Sequence, residues 1–225
     1  MIDLHTCALF SIDDKEKFDQ QIEMLKNAYA NGITTCVLAP PCSLHKKGDT
    51  ERFLSQIEQD TDRLKQLNLK DLPNVLFGAK VLMDHDLSLH KDIDKLCIGN
   101  GKYLLVELPN FARIPDFDEW IYCLNIKGII PIIAHVDRFP LWKELIDGLS
   151  SVKVYYQVNA SALKSFFKRK VIKKLISEKK KFFISSDTHE FSPTILNLNV
   201  ALEKSKRYFP INFSSFFLTD FNFYI

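Results

Sequence analysis

The chain has 225 residues, 30 Lys and Arg against 28 Asp and Glu (a formal net charge of +2), and 46% apolar residues. So even a balance excludes a dedicated nucleic-acid binder, and the apolar fraction excludes a disordered chain. With 7 Gly and 9 Pro, collagen-like and low-complexity classes are excluded too. No apolar run approaches the roughly 18 residues of a membrane span. Met1-Ile2-Asp3-Leu4-His5 lacks the basic and apolar regions of a secretory signal, which points to a cytoplasmic chain. The 5 cysteines, Cys7, Cys36, Cys42, Cys97 and Cys123, are odd in number and lack paired spacing, as expected in a reducing compartment. No linker or composition break divides residues 1–225, so one domain is expected.

Short β-rich runs alternate with longer amphipathic stretches. Ile2-Asp3-Leu4-His5 is the first candidate strand. Phe18, Ile22, Leu25 and Tyr29, at 4-3-4 spacing, predict a helix between Asp13-Asp14 and Gly32. Strand 33–39 and helix 51–67 follow, then strand 74–82 and a short helix near 91–98. Strand 103–108 pairs with helix 116–126, strand 129–134 with a helical stretch near 140–149, and a strand from 153 to 158 with a long helix over 161–178. Strand 182–186 is the seventh, and a last helix lies near 194–208. Such alternation predicts a parallel sheet with helical crossovers, and seven units fit a slightly short β/α barrel. An open doubly wound sheet is the rival, but no Gly-rich phosphate loop follows any strand.

In a β/α barrel the reactive groups stand where strands end, above a packed interior. Those positions hold His5 and Cys7, Pro41 and Cys42, Lys80, Glu107, His135, Asn159, and Asp187 with His189. Imidazoles and carboxylates converging on one mouth are what Zn²⁺, Mn²⁺ or Fe ions require. A lone His after a strand is more often a hydrogen-bonded structural residue. Five such residues (His5, Glu107, His135, Asp187 and His189) on four strands favour a site.

These residues sit in a recognisable series. Asp3-Leu4-His5, Gly32-Ile33-Thr34-Thr35, Phe77-Gly78-Ala79, Leu105-Val106-Glu107, Ile133-Ala134-His135-Val136-Asp137-Arg138, Gln157-Val158-Asn159 and Ser185-Ser186-Asp187-Thr188-His189 occur in order. With them the chain, from Ile2 to about Tyr208, resembles the bacterial PHP-type (polymerase-and-histidinol-phosphatase-like) protein tyrosine phosphatases of capsule and exopolysaccharide loci. The resemblance implies a distorted seven-stranded TIM-like α/β barrel holding a three-ion cluster, usually Mn²⁺, with Zn²⁺ or Fe as alternatives. Such ions bind the phosphate of phosphotyrosine, activate a bound water and stabilise charge during in-line attack. The implied ligands are His5, Glu107, His135, Asp187 and His189, with Asp187 also catalytic. Arg138 is the implied phosphate-binding and catalytic candidate, and Arg113 a further phosphate-binding candidate. The implied partner is a tyrosine-phosphorylated bacterial kinase or another phosphoprotein.

Three of the family's eight ligand positions depart from its pattern: Cys7, Pro41 and Lys80 stand where two histidines and a glutamate are expected. Cys7 can still ligate as a thiolate, which suits Zn²⁺ better than Mn²⁺. Pro41 has no ligating group, although Cys42 is adjacent. Lys80 is the severe change, since an ammonium about 4 Å from a dication is repelled by roughly 8 kcal/mol at an effective dielectric of about 20. Lys80 is therefore expected to replace a metal's charge and pair with a carboxylate such as Asp187, or else to turn to solvent. The altered cluster leaves three functional readings: an impaired phosphatase, a pseudophosphatase that binds a partner or phosphopeptide, and a mono- or dinuclear Zn hydrolase using Cys7.

Two other features stand apart. Residues 164–181 carry nine Lys and Arg against one Glu. This is either the solvated face of an outer helix or a docking stripe for an anionic surface. Phe213–Ile225 is rich in aromatics, which cover the barrel bottom or enter a second subunit, leaving a homo-oligomer open.

Overall fold

The computed structural model describes residues 2–6, 15–46, 48–67, 69–109 and 115–187, with Leu198 and Glu203. The expected helix near 194–208 and the aromatic C-terminus lie outside these, apart from those two residues.

Every strand pairing among the described residues is parallel, as the alternation predicts. Strands β1 (Ile2–Thr6), β2 (Thr35–Leu38) and β4 (Asn74–Phe77) form one sheet in the order β1-β2-β4. Strands β3 (Pro41–Cys42), β5 (Lys80–Leu82), β6 (Tyr103–Glu107), β7 (Ile130–Ile133), β8 (Tyr155–Asn159) and β9 (Phe182–Ser185) form a second, in that order. The described residues thus contain nine strands where seven were expected. The run 74–82 is cut in two, and β3 is an additional short strand beyond the run 33–39. Ala39-Pro40 separates β2 from β3, because proline has no N–H for the ladder. Gly78-Ala79 separates β4 from β5, where the backbone passes so close to Ile98 that a Cβ on Gly78 would lie 2.8 Å from its Cγ1 and 3.0 Å from its Cα. Only glycine fits there.

The helices cover the sheets by burying one stripe each. Phe18, Ile22 and Leu25 of α1 (Lys15–Ala30) pack on Cys36 and Leu38 of β2. Gly32, at φ 82°, then takes the left-handed turn that ends the helix. Helix α2 (Asp49–Leu67) lies more peripherally, with Phe53 and Leu54 against the core, whereas α3 (Phe117–Ile126) buries Phe117, Ile121 and Leu124. Helix α4 (Trp142–Gly148) buries Ile146.

Two expected helices are corrected. Three 3₁₀ turns, Leu87–Leu89, Ile93–Leu96 and Ile98–Asn100, replace the one near 91–98. The long helix over 161–178 is a 3₁₀ turn, Ala160–Lys164, followed by the shorter α5 (Arg169–Ser177). Ser165 lies extended between them and its hydroxyl accepts the Lys168 N–H at 3.4 Å, a competing local bond of the kind that interrupts helices. The apolar spacing misled because Phe166 and Phe167 are 66% and 73% exposed, while Leu163 and Val171 are buried.

Alternation along the strands carries the chain from core to mouth. Cys36 and Leu38 face α1, whereas Val37 joins Leu4, Leu105, Ile132, Ala134 and Phe183 in an inner apolar layer drawn from both sheets. Two residues beyond Leu105 in the strand alternation stands Glu107, and Gln157 and Asn159 follow Tyr155 in the same way. Polar groups of several strands therefore gather above one apolar floor.

Candidate metal centre

His5, His135 and Asp187 meet above that floor, and one ligand atom of each lies within 4.8 Å of the others. All three are buried. His5 lies near the end of β1, where the pairing register shifts between Asp3 and Thr6, an irregularity of the kind that re-aims a side chain. His135 and Asp187 each follow a strand in a left-handed conformation, at φ 48° and φ 54°. Non-glycine residues adopt that conformation at a cost, and it turns both side chains toward the shared point. The imidazoles of His5 and His135 lie 4.6 Å apart between ring centroids. The Asp187 carboxylate sits 3.6 Å from His5 Nδ1 and 3.3 Å from His135 Nδ1.

Strand β8 and the following turn hold His135 in place. Its backbone N–H donates to Gln157 Oε1 at 2.6 Å, Gln157 Nε2 donates to Asn159 Oδ1 at 3.0 Å, and that same oxygen lies 3.3 Å from His135 Nδ1. Buried Asp137 accepts the Asn159 backbone N–H at 2.9 Å and is paired with Lys168 at 3.2 Å. Asp3 plays the same part for β1. Its Oδ1 accepts the backbone N–H groups of Ser186 at 3.0 Å and His5 at 3.4 Å. Burial pushes its carboxyl up to about 6, against the lowering effect of those bonds. Gln157, Asp137 and Asp3 were not singled out from sequence. For Asp3 and Gln157 the signal available was a polar residue alternating with apolar ones on a buried strand, whereas Asp137 stands in the 3₁₀ turn Val136–Arg138, where that pattern does not apply.

The remaining residues divide around this triad. Glu107, 38% exposed, places Oε1 3.8 Å from His135 Nε2. Its other oxygen is 3.3 Å from Lys80 Nζ. Lys80 is only 5% exposed, so it does not turn to solvent, and it pairs with Glu107 rather than Asp187. Asp187 is instead held by Arg138, whose Nη2 lies 2.7 Å from Oδ2. Burial raises the Asp187 carboxyl, but His135, His5 and Arg138 outweigh it and keep it below the usual carboxylate range. Two carboxylates therefore meet two fixed cations, with the imidazoles between them.

Pro41 is exposed and pairs in register with Lys80. Cys42 does not make good the missing ligand: it is buried in the apolar core, and burial with Asp49 nearby pushes its thiol up to about 11, away from the thiolate a metal needs. Cys7, His189 and Arg113 lie outside the described residues.

Among the described residues, the donor set of His5, His135 and Asp187 fits a divalent ion. It does not fit a further ion bridged at Glu107, because Lys80 already occupies that carboxylate with a positive charge.

Residues 1–209 match the family model for capsular polysaccharide synthesis proteins, CpsB/CapC. The chain belongs to the CpsB/CapC family. It is 31% identical over 209 residues to CapC of Staphylococcus aureus, covering 85% of this chain and 78% of that protein. It is 29% identical over 202 residues to the tyrosine-protein phosphatase YwqE of Bacillus subtilis, covering 84% and 77%. In fold it is similar to the crystal structures of YwqE and Streptococcus pneumoniae CpsB, described as metal-dependent tyrosine phosphatases, with a TM-score of 0.77 at 23% identity over 96% of this chain and 90% of that one. Histidinol phosphate phosphatase of Lactococcus lactis, complexed with zinc, L-histidinol and phosphate, matches at TM-score 0.55 and 14% identity over 92% of both chains. No helix among the described residues of this CpsB/CapC member is long and apolar enough to cross a membrane.

Proposed function

We propose that this chain is a metal-dependent phosphotyrosine phosphatase of the capsule-synthesis type, working with a reduced metal centre. The observation that carries the reading is the convergence of His5, His135 and Asp187 within 4.8 Å in a member of the CpsB/CapC family. Its scaffold is one domain whose two sheets close into a PHP-type barrel. The inner layer shared by β1, β2, β6, β7 and β9 supports this, as does the Asp187 N–H donating to the His5 carbonyl at 3.0 Å.

A divalent ion at the triad, Mn²⁺ in the family pattern, supplies Lewis acidity and an activated water when bound. The chain's own residues do the rest. Asp3 and Gln157 fix the backbone carrying His5 and His135, so the donors are set before a ligand arrives. Lys80 and Arg138 offset Glu107 and Asp187. A phosphate dianion arriving beside an ion therefore meets net positive charge. Arg138 is half-exposed and reaches Asp187 from the rim, so it can exchange that carboxylate for the phosphoryl oxygens of a phosphotyrosine. The substrate class is a tyrosine-phosphorylated protein, with a bacterial kinase tail as the proposed partner. His189, and Cys7 if the ion is Zn²⁺, are proposed as additional ligands.

The same two ion pairs favour a second reading. If they hold the carboxylates permanently, the centre binds a phosphopeptide without cleaving it. Hydrolysis of a phosphotyrosine peptide with and without Mn²⁺, beside His135→Ala, decides. Mn²⁺-dependent turnover lost in the variant supports the phosphatase. Absence of turnover in folded wild-type protein rejects it and leaves the binding reading.

A further inference from the structure

Half of the chain's 6 histidines lie away from this centre, at positions 45, 85 and 90. The fold brings them together. His45 stands in the loop between β3 and α2, Asp84 and His85 follow β5 after Met83, and His90 closes the 3₁₀ turn Leu87–Leu89. His45 Nε2 lies 3.4 Å from Asp84 Oδ2, and His85 Nδ1 contacts Asp84 Oδ1. One ligand atom each from His45, Asp84 and His85 falls within 4.8 Å of the other two. On its far side, His85 Nε2 is 2.7 Å from His90 Nε2.

That last contact leaves His85 two tautomers, one of which prepares it for a metal. Two imidazole nitrogens at hydrogen-bond distance share one proton, so one donates and the other accepts. When His85 carries the proton on Nε2 and gives it to His90, its Nδ1 presents a lone pair toward Asp84. A lone pair facing a carboxylate is repulsive, and a cation bound by both groups removes the repulsion. The arrangement is that of a metal-bound histidine whose other N–H is held by an outer acceptor. Tetrahedral Zn²⁺ with bonds of about 2.0–2.1 Å sets its donors about 3.4 Å apart, the separation His45 and Asp84 already have, whereas the closer His85–Asp84 contact must open as the ion enters. The outer partner is itself fixed: Asp86 accepts the Ser88 N–H at 2.9 Å, and the His90 N–H donates to the Leu87 carbonyl at 3.2 Å.

We propose that His45, Asp84 and His85 form a second metal site, for a borderline dication of the Zn²⁺ class, with His90 as the positioning residue that orients His85. Two imidazoles and one carboxylate select such an ion over Mg²⁺ or Ca²⁺, which prefer all-oxygen shells. His45 is half-exposed, and Asp84 and His85 are about a third exposed, so the site opens to solvent and leaves a coordination position for water or an exogenous ligand. The site uses none of the residues of the phosphatase reading and stands or falls without it.

The test is calorimetric titration of the metal-free full-length chain with Zn²⁺, using His135→Ala as the background in which the first centre is damaged. That background should keep a Zn²⁺ equivalent that weakens by at least about 100-fold when His85→Ala is added, since outer-partner losses alone cost about 10–100-fold. Asp84→Asn, which preserves side-chain volume, should act in the same direction. His90→Gln, which keeps an acceptor, should bind more tightly than His90→Phe. Co²⁺ substitution gives a second readout, an intense visible band of tetrahedral coordination that the His85→Ala change should remove. Equal Zn²⁺ affinity and stoichiometry with and without the His85 and Asp84 changes, in protein of unchanged circular dichroism, overturns the proposal.

Discussion

The two flanks of the centre differ in how they treat charge. On one side His5, His135 and Asp187 keep a donor set that suits a dication, buried and braced by Asp3, Gln157 and Asn159. On the other, Glu107 is already answered by Lys80, which brings its own positive charge. The strands that carry Lys80 and Glu107 and the strand that precedes His135 are parallel neighbours, in register Lys80–Leu105 and Val106–Ile133. On the proposed reading, a scaffold can lose a metal position by a single change of side-chain charge while its neighbour keeps the geometry. A salt bridge takes over the neutralising part of the ion's work, without its Lewis acidity.

The comparison breaks most sharply at His135. Changing it to Ala removes a donor from the intact flank, and Mn²⁺-dependent phosphotyrosine hydrolysis should fall by more than about 100-fold, beyond the roughly 10–100-fold of an outer-partner loss. Steady-state assays read this directly. On the other flank, Lys80→Glu sets two carboxylates side by side. Breaking a buried pair costs about 3–5 kcal/mol, and the partial exposure of Glu107 reduces this to about 2 kcal/mol, read as a lower melting temperature in EDTA. Added Mn²⁺ should restore that loss in the variant far more than it raises the wild type. If it does not, the second flank has lost more than a charge.

A smaller effect is expected at Gln157, which touches the His135 backbone rather than a substrate. Gln157→Ala should weaken Mn²⁺ binding by about 10-fold while Gln157→Glu, which retains the acceptor oxygen, should weaken it less. The smallest is Arg138→Ala. It frees Asp187, so Mn²⁺ affinity should rise by a few-fold, while KM for the phosphopeptide rises with little change in melting temperature, as expected for a half-exposed partner. A fall in Mn²⁺ affinity would show that Arg138 braces Asp187 instead of competing for it.

Much of this was legible in the sequence because period and punctuation carry it. The alternation of apolar runs foretold a parallel α/β fold, and the strand ends foretold where His5, Glu107, His135 and Asp187 stand. What escaped depends on tertiary context. The left-handed conformations of His135 and Asp187 leave no trace in residue type, and neither does the register shift in β1 that re-aims His5. Lys80 was foreseen as a replacement for metal charge, but its partner is set by side-chain reach and is Glu107 instead of Asp187. The basic run 164–181 looked like a uniform stripe. Lys168, Lys174 and Lys180 in fact reach Asp137, Asp147 and the Leu149 carbonyl, so part of that charge serves internal contacts. Sequence distance hid the second histidine cluster altogether, since His45 and His85 meet only once β3 pairs with β5.

The most direct test is anomalous scattering at the manganese edge from crystals grown with Mn²⁺. One peak within bonding distance of His5, His135 and Asp187, with the Lys80–Glu107 pair intact beside it, is the predicted result. A peak bridged by Glu107 with Lys80 displaced, or none at the triad, would contradict a centre reduced to one ion.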